Sequence, residues 1–152
     1  MTTTQYDDRL DALVKASTGE LLAMIEQGLD HAPQSFETRS SAKQFKRLLD
    51  ALHAKLRRHH AAGALSMDPS SSPPTLGSTN CRMLRLNAEH STMLGILGHL
   101  CAECYAMSGL SPDEQELFIL RARELVAVFR RHTAEEASLY YHTVWRDVGG
   151  EG

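Results

Sequence analysis

The chain has 152 residues, 42% of them hydrophobic, and a formal net charge of −3 with its histidines neutral. That length suits one domain with one core, and the slight negative charge speaks against nucleic acid as a partner. The first residues carry neither a basic region nor an apolar run, so no signal peptide is expected. No stretch nears the roughly 18 consecutive apolar residues of a membrane span.

Leu, Ala, Arg and Glu, all good helix formers, are frequent, and runs of alternating β-branched residues are absent, which points to an all-α protein. The three cysteines, Cys81, Cys101 and Cys104, are odd in number. This argues against a disulfide framework and for a reducing, cytoplasmic compartment. Eight histidines are many for this length, so where they point matters.

Residues 1–9 read as a polar tail. From about Leu10 a helical pattern runs through Val14, Thr18, Leu21, Ile25 and Leu29. Ser17 and Glu20 form a capping-box pair, so the helix begins or restarts there. His31-Ala32-Pro33 ends it, because the residue before a proline is pushed out of helical geometry.

Ser40 or Ser41 starts a second helix whose inward face is Phe45, Leu49, Leu52, Leu56, His59 and Gly63. Lys55, Arg57, Arg58 and His60 beside it read as a solvated basic face. Residues 66–80 are rich in Ser and Pro, cannot continue a helix, and form a flexible connection.

A third helix is expected from about Cys81 to Met107, with Met83, Leu86, His90, Leu94, Leu97, Cys101 and Cys104 inward. His99 projects the other way and is expected to pair with Glu103. Cys101 and Cys104 make a Cys-x-x-Cys spacing. Without two further ligands at matching depth it reads as buried structural thiols, not a zinc site.

Ser111, Pro112 and Glu114 announce the start of a fourth helix, running to about Trp145. Its stripe is Phe118, Ala122, Leu125, Phe129, His132, Glu136, Leu139 and Thr143. A carboxylate inside an apolar stripe is costly unless compensated. A His and a Glu one turn apart, both facing inward, either share a metal ion or hydrogen-bond each other.

Four helices with short links and one apolar stripe each imply an antiparallel up-down-up-down four-helix bundle within a single domain, residues 1–152. In that topology His59, late in the second helix, His90, early in the third, and His132 with Glu136, late in the fourth, come to one level of the core. Three imidazoles and a carboxylate suit iron, zinc or another first-row ion.

The C-terminal half resembles the hemerythrin-like (HHE cation-binding) family. Leu86-Asn-Ala-Glu89-His90, followed by Met93, Leu94 and Leu97, is similar to its third-helix motif. His132-Thr-Ala-Glu-Glu136, followed by Ala-Ser-Leu139-Tyr140, is similar to its fourth-helix motif. The resemblance covers residues 83–145 well and 10–65 in outline.

It implies a di-iron site built from two halves, each with an early His and a late His followed by a Glu four residues on. Here the second half is complete in His90, His132 and Glu136. The first half has Thr18 or Ser17 for its early His, keeps His59, and has Gly63 for its bridging Glu. With half of that site missing an oxygen carrier is not expected, and with no nucleophile–base arrangement or glycine-rich phosphate loop in the sequence neither is an enzyme. The expected protein binds metal through His59, His90, His132 and Glu136, with iron in a mononuclear or di-iron state, or zinc.

Its expected role is sensing or handling iron, oxygen or nitric oxide, with a diatomic gas and a protein partner or second copy as further ligands. His60 or Asp68 could complete the site. Glu135 is expected as a neighbouring partner of the site or a solvent-facing acid, and Tyr140 and Tyr141 as groups that hydrogen-bond toward it or close its end. The rival reading is a metal-free bundle that serves as a regulatory protein-interaction module.

Overall fold

The computed structural model describes residues 11–32, 34–62 and 79–148, with residues 108 and 143–148 described by backbone only. Among these, the regular elements are all helical. They are α1 (Thr18–Asp30), α2 (Arg39–Ala61), α3 (Thr79–Cys104) and α4 (Pro112–Val148). Short 3-10 turns at Gln34–Phe36 and Met107–Gly109 join them, and a helical stretch at 11–15 precedes α1.

The ends are set by capping chemistry. At α1 the Ser17 hydroxyl accepts from the Glu20 amide, while the Glu20 carboxylate accepts from the Ser17 amide. The exchange satisfies two of the amides that a helix start leaves unpaired. Ser111 and Glu114 repeat it at α4. At α2 the box is one residue earlier than the Ser-Ser pair suggests: Thr38 is the cap and Ser41 answers it.

The first helical pattern is not continuous from Leu10, because the chain breaks at Ala16-Ser17 before α1 begins. Val14, assigned inward by its spacing, is 60% exposed. Thr79 and Asn80, expected in the connection, are already in α3. The rest of that connection, the N-terminal tail and Gly63 lie outside the described residues.

Contacts link α1 to α2, α2 to α3, α3 to α4, and α4 back to α1. The core is a stack of Leu, Ile, Met and Phe side chains from all four helices. Phe36, Phe45 and Phe118 meet edge to face, with ring centroids 5.1, 5.8 and 6.3 Å apart. Such aromatic contacts add to plain area burial. This cluster fills the end of the core away from the histidines.

The α3 stripe differs from its expected form. Met93 and Leu100 are buried, while Met83, Leu94 and Cys101 are only partly so. A helix of this length that touches both α2 and α4 spreads its contacts over a wider arc than one stripe, since 3.6 residues per turn drifts against a seven-residue repeat. No helix of the described residues is long and apolar enough to cross a membrane.

Candidate metal centre

His59, His90, His132 and Glu136 meet in space, as their positions in sequence suggest. His59 comes from the last turn of α2, His90 from α3, and His132 and Glu136 from successive turns of α4. On α4 the four-residue spacing puts both side chains on one face. His90 and His132 are 1% and 2% exposed. The His59 side chain, near its helix end, is 46% exposed, and that of Glu136 18%.

Glu136 is the common point. Its Oε1 lies 2.6 Å from His90 Nε2, 2.8 Å from His132 Nε2 and 3.2 Å from His59 Nε2. Its Oε2 is also 3.2 Å from His59 Nε2. Ligand atoms of His59, His90 and Glu136 all lie within 4.8 Å of one another. His132 is not part of that three-residue group and joins the cluster through Glu136. The rings of His59 and His90 are 5.0 Å apart, and those of His90 and His132 4.6 Å. The exposed His60 ring stands 5.7 Å from that of His90, while Asp68 lies outside the described residues.

A carboxylate only accepts hydrogen bonds, so without a metal each Nε2 must donate to Glu136. His132 is also held at its other nitrogen: Nδ1 donates to Glu89 Oε2 at 2.7 Å. Donation at both nitrogens requires the imidazolium form. Burial alone pushes the His132 pKa down, but its hydrogen bonds to Glu136 and Glu89 outweigh burial and raise it. At His90 burial dominates and lowers the pKa, against the pull of Glu136. Burial would raise the Glu136 carboxyl, yet hydrogen bonds from His132, His59 and His90 bring it down to about 2.

The donor types gathered here also suit a metal ion, and ligand atoms of His59, His90 and Glu136 are near enough to share one. Three imidazole nitrogens and one carboxylate oxygen form a borderline donor set. It suits iron(II), zinc or another first-row ion and not calcium or magnesium, which take oxygen ligands. Only the Nε2 protons need leave for these lone pairs to become available. A cavity of about 200 Å³ opens beside the cluster, bounded by Thr18, Lys55, His59, His132, Thr133 and Glu136 among others. Thr18, which stands where the resemblance implies an early His, thus faces the same space.

Glu89 is the residue the stripe-based reading missed. It sits one position before His90 on α3, and its carboxylate also accepts from Arg131 Nη2 at 3.3 Å. The Glu-His dipeptide was the available signal. A residue next to a stripe turns by about 100° and so faces the neighbouring helix.

Several neighbours depart from expectation. Glu135 neither joins the site nor stands alone in solvent: it pairs with Arg85 and lies 3.9 Å from Arg82, tying α4 to α3. The Glu103 carboxylate engages Arg121 of α4, not His99, although His99 is exposed as expected. Tyr140 and Tyr141 stand mainly in solvent, 71% and 57% exposed. Lys55 is half-buried against the cavity, whereas Arg57, Arg58 and His60 are exposed.

Cys101 and Cys104 behave as core thiols. Burial, aided by Asp50 at Cys101 and by Cys101 at Cys104, pushes both up to about 12. Comparison with protein-family models, with curated proteins and with solved structures finds no match to this chain.

Proposed function

We propose that this chain is a hemerythrin-like metal-binding protein that holds a single first-row ion, iron or zinc, through His59, His90, His132 and Glu136. The observation that carries this reading is the convergence of three imidazole Nε2 atoms, from three helices, on one carboxylate. A bound ion would act as a Lewis acid and as a docking point for a small ligand such as a diatomic gas. The chain's own contribution is to orient the imidazoles, exclude bulk water from His90 and His132, and keep Glu136 ionised.

The architecture we infer is an antiparallel up-down-up-down four-helix bundle. Supporting it are side-chain contacts whose order reverses between partner helices. Arg123 meets Asp30 and Arg130 meets Glu26 between α4 and α1. Arg121 meets Glu103 and His132 meets Glu89 between α4 and α3. Lys46 lies over Tyr105, just past the end of α3, while His59 meets His90, between α2 and α3.

One ion fits better than two. The resemblance would put a second set of ligands at Thr18 or Ser17 and at Gly63, where a neutral hydroxyl replaces an imidazole and glycine offers no side chain at all. The role we assign is sensing or handling iron, oxygen or nitric oxide in the cytoplasm, without turnover of a substrate.

One observation favours a second reading. With His132 as imidazolium between Glu89 and Glu136, every charge in the cluster has a partner without any ion. A metal-free bundle that docks a protein partner would keep the same core.

Elemental analysis of protein purified without chelator or affinity-tag metal separates the two. About one ion per chain is expected. No ion, and no uptake of iron(II) or zinc added anaerobically, would leave the protein-docking module. Two irons per chain would overturn the single-ion site.

A further inference from the structure

We propose that Glu89 is a positioning residue: it accepts the Nδ1 proton of His132 and thereby commits the Nε2 lone pair of that ring to the metal. This rests on the metal-binding reading and assigns a fifth side chain to the same site.

The geometry points to it in three ways. First, His132 is gripped at both nitrogens, by Glu89 at 2.7 Å and by Glu136 at 2.8 Å, and it is 2% exposed. A buried imidazole held at Nδ1 cannot flip its ring without losing both partners. Second, the shorter contact of Glu89 is the one to His132: its other oxygen meets the largely exposed Arg131 of α4 at the longer distance of 3.3 Å. Third, Glu89 and His90 are consecutive on α3, so one helical turn supplies a ligand and the support for the opposite ligand. A carboxylate behind a ligating imidazole fixes its tautomer and raises its basicity, and losing such a partner costs about 10–100-fold in metal affinity.

A plain α3–α4 ion pair is the competing explanation of Glu89. The Arg131 side chain is 63% exposed, and pairs of that kind contribute little. Removing Arg131 alone therefore separates the two roles.

The test measures zinc affinity by competition with a chromophoric chelator, in the full chain and in Glu89→Ala, Glu89→Gln and Arg131→Met. Glu89→Ala is expected to bind about 10–100-fold more weakly. Glu89→Gln, whose amide oxygen can still accept from Nδ1, should fall between. Arg131→Met should keep the parent affinity.

A second readout needs no metal. At a pH high enough for the ring to be neutral, His132 has one proton and two carboxylate acceptors; its 15N shifts should report a substantial Nδ1-protonated population in the parent and in Glu89→Gln, and the Nε2-protonated tautomer in Glu89→Ala, where Glu136 is the acceptor left.

Equal zinc affinity in the parent and Glu89→Ala would overturn the proposal, as would an equal loss in Arg131→Met. If the parent chain takes up no zinc or iron(II), the metal reading fails. The tautomer measurement then decides the role of Glu89 alone, and an unchanged His132 tautomer in Glu89→Ala sinks it.

Discussion

Burial and neighbouring groups shift the proton equilibria of the buried titratable side chains, and reactivity follows. Cys104 is 3% exposed, and burial moves its thiol from 9.0 up to about 12. Since the thiolate is the reacting species, it should alkylate on the order of 1000-fold more slowly than an ordinary thiol near pH 8. Mass spectrometry of alkylated peptides, with and without denaturant, checks this. Rapid labelling of Cys104 in the folded protein would mean that the α2–α3 core opens readily. At this scale the meeting of His59, His90, His132 and Glu136 could be read from the sequence, because each lies on an apolar stripe where a polar group stands out. Glu89 could not, because periodicity says which face a residue is on and not which neighbouring side chain it meets. Glu135 was hidden for the same reason: beside Glu136 it read as a partner of the site or an acid in solvent, and only the position of Arg85 shows that it ties α4 to α3.

Between helices, two glycines give opposite expectations from one substitution. A Cβ on Gly28 would lie 2.8 Å from Phe45 Cδ2, inside the cluster of aromatic rings where α1 crosses α2. Phe45 is buried and packed against Phe36 and Phe118, so it has little room to give. Gly28→Ala should therefore cost about 1–3 kcal/mol despite the better helix propensity of alanine. At Gly95, in the middle of α3, a Cβ would meet nothing within 4 Å. Gly95→Ala should gain about 0.5–1 kcal/mol. Urea unfolding of both variants reads the two signs, and a stabilising Gly28→Ala would show that the α1–α2 contact is looser than described. Helix starts at Ser17 and Ser111 were legible because capping boxes are local chemistry. The α2 start was off by a residue because Thr38, Ser40 and Ser41 all offer a hydroxyl, and only the fold selects one. The spread of α3 contacts was hidden because it depends on two neighbours at once.

For the molecule as a whole, the site makes stability depend on pH in the metal-free form. Glu136 is held down to about 2 from 4.5. Its contribution is fully present above pH 4.5 and is lost as pH falls toward 2, and that span is worth on the order of 3 kcal/mol for the coupled cluster. His132, raised, stabilises below 6.5 and loses that contribution as pH rises through its folded value. His90, lowered, does the reverse: its contribution is present above 6.5 and falls away below. The two histidines therefore oppose each other around neutrality. The expected melting profile is shallow between about pH 6 and 8 and steep below about 4.5. Thermal melts of chelator-treated protein across this range check it. A Glu136→Gln variant with an equally steep acid limb would place the loss elsewhere.

His59 is the member of the cluster that reaches in from a helix end, two residues before Ala61 closes α2, and nearly half of its side chain is in solvent. Its hold on Glu136 acts as a latch on the final turn of α2, a place where helices otherwise fray. Whatever fills or empties the centre is thereby written into the last backbone amides of α2, where hydrogen exchange can read it from outside the core.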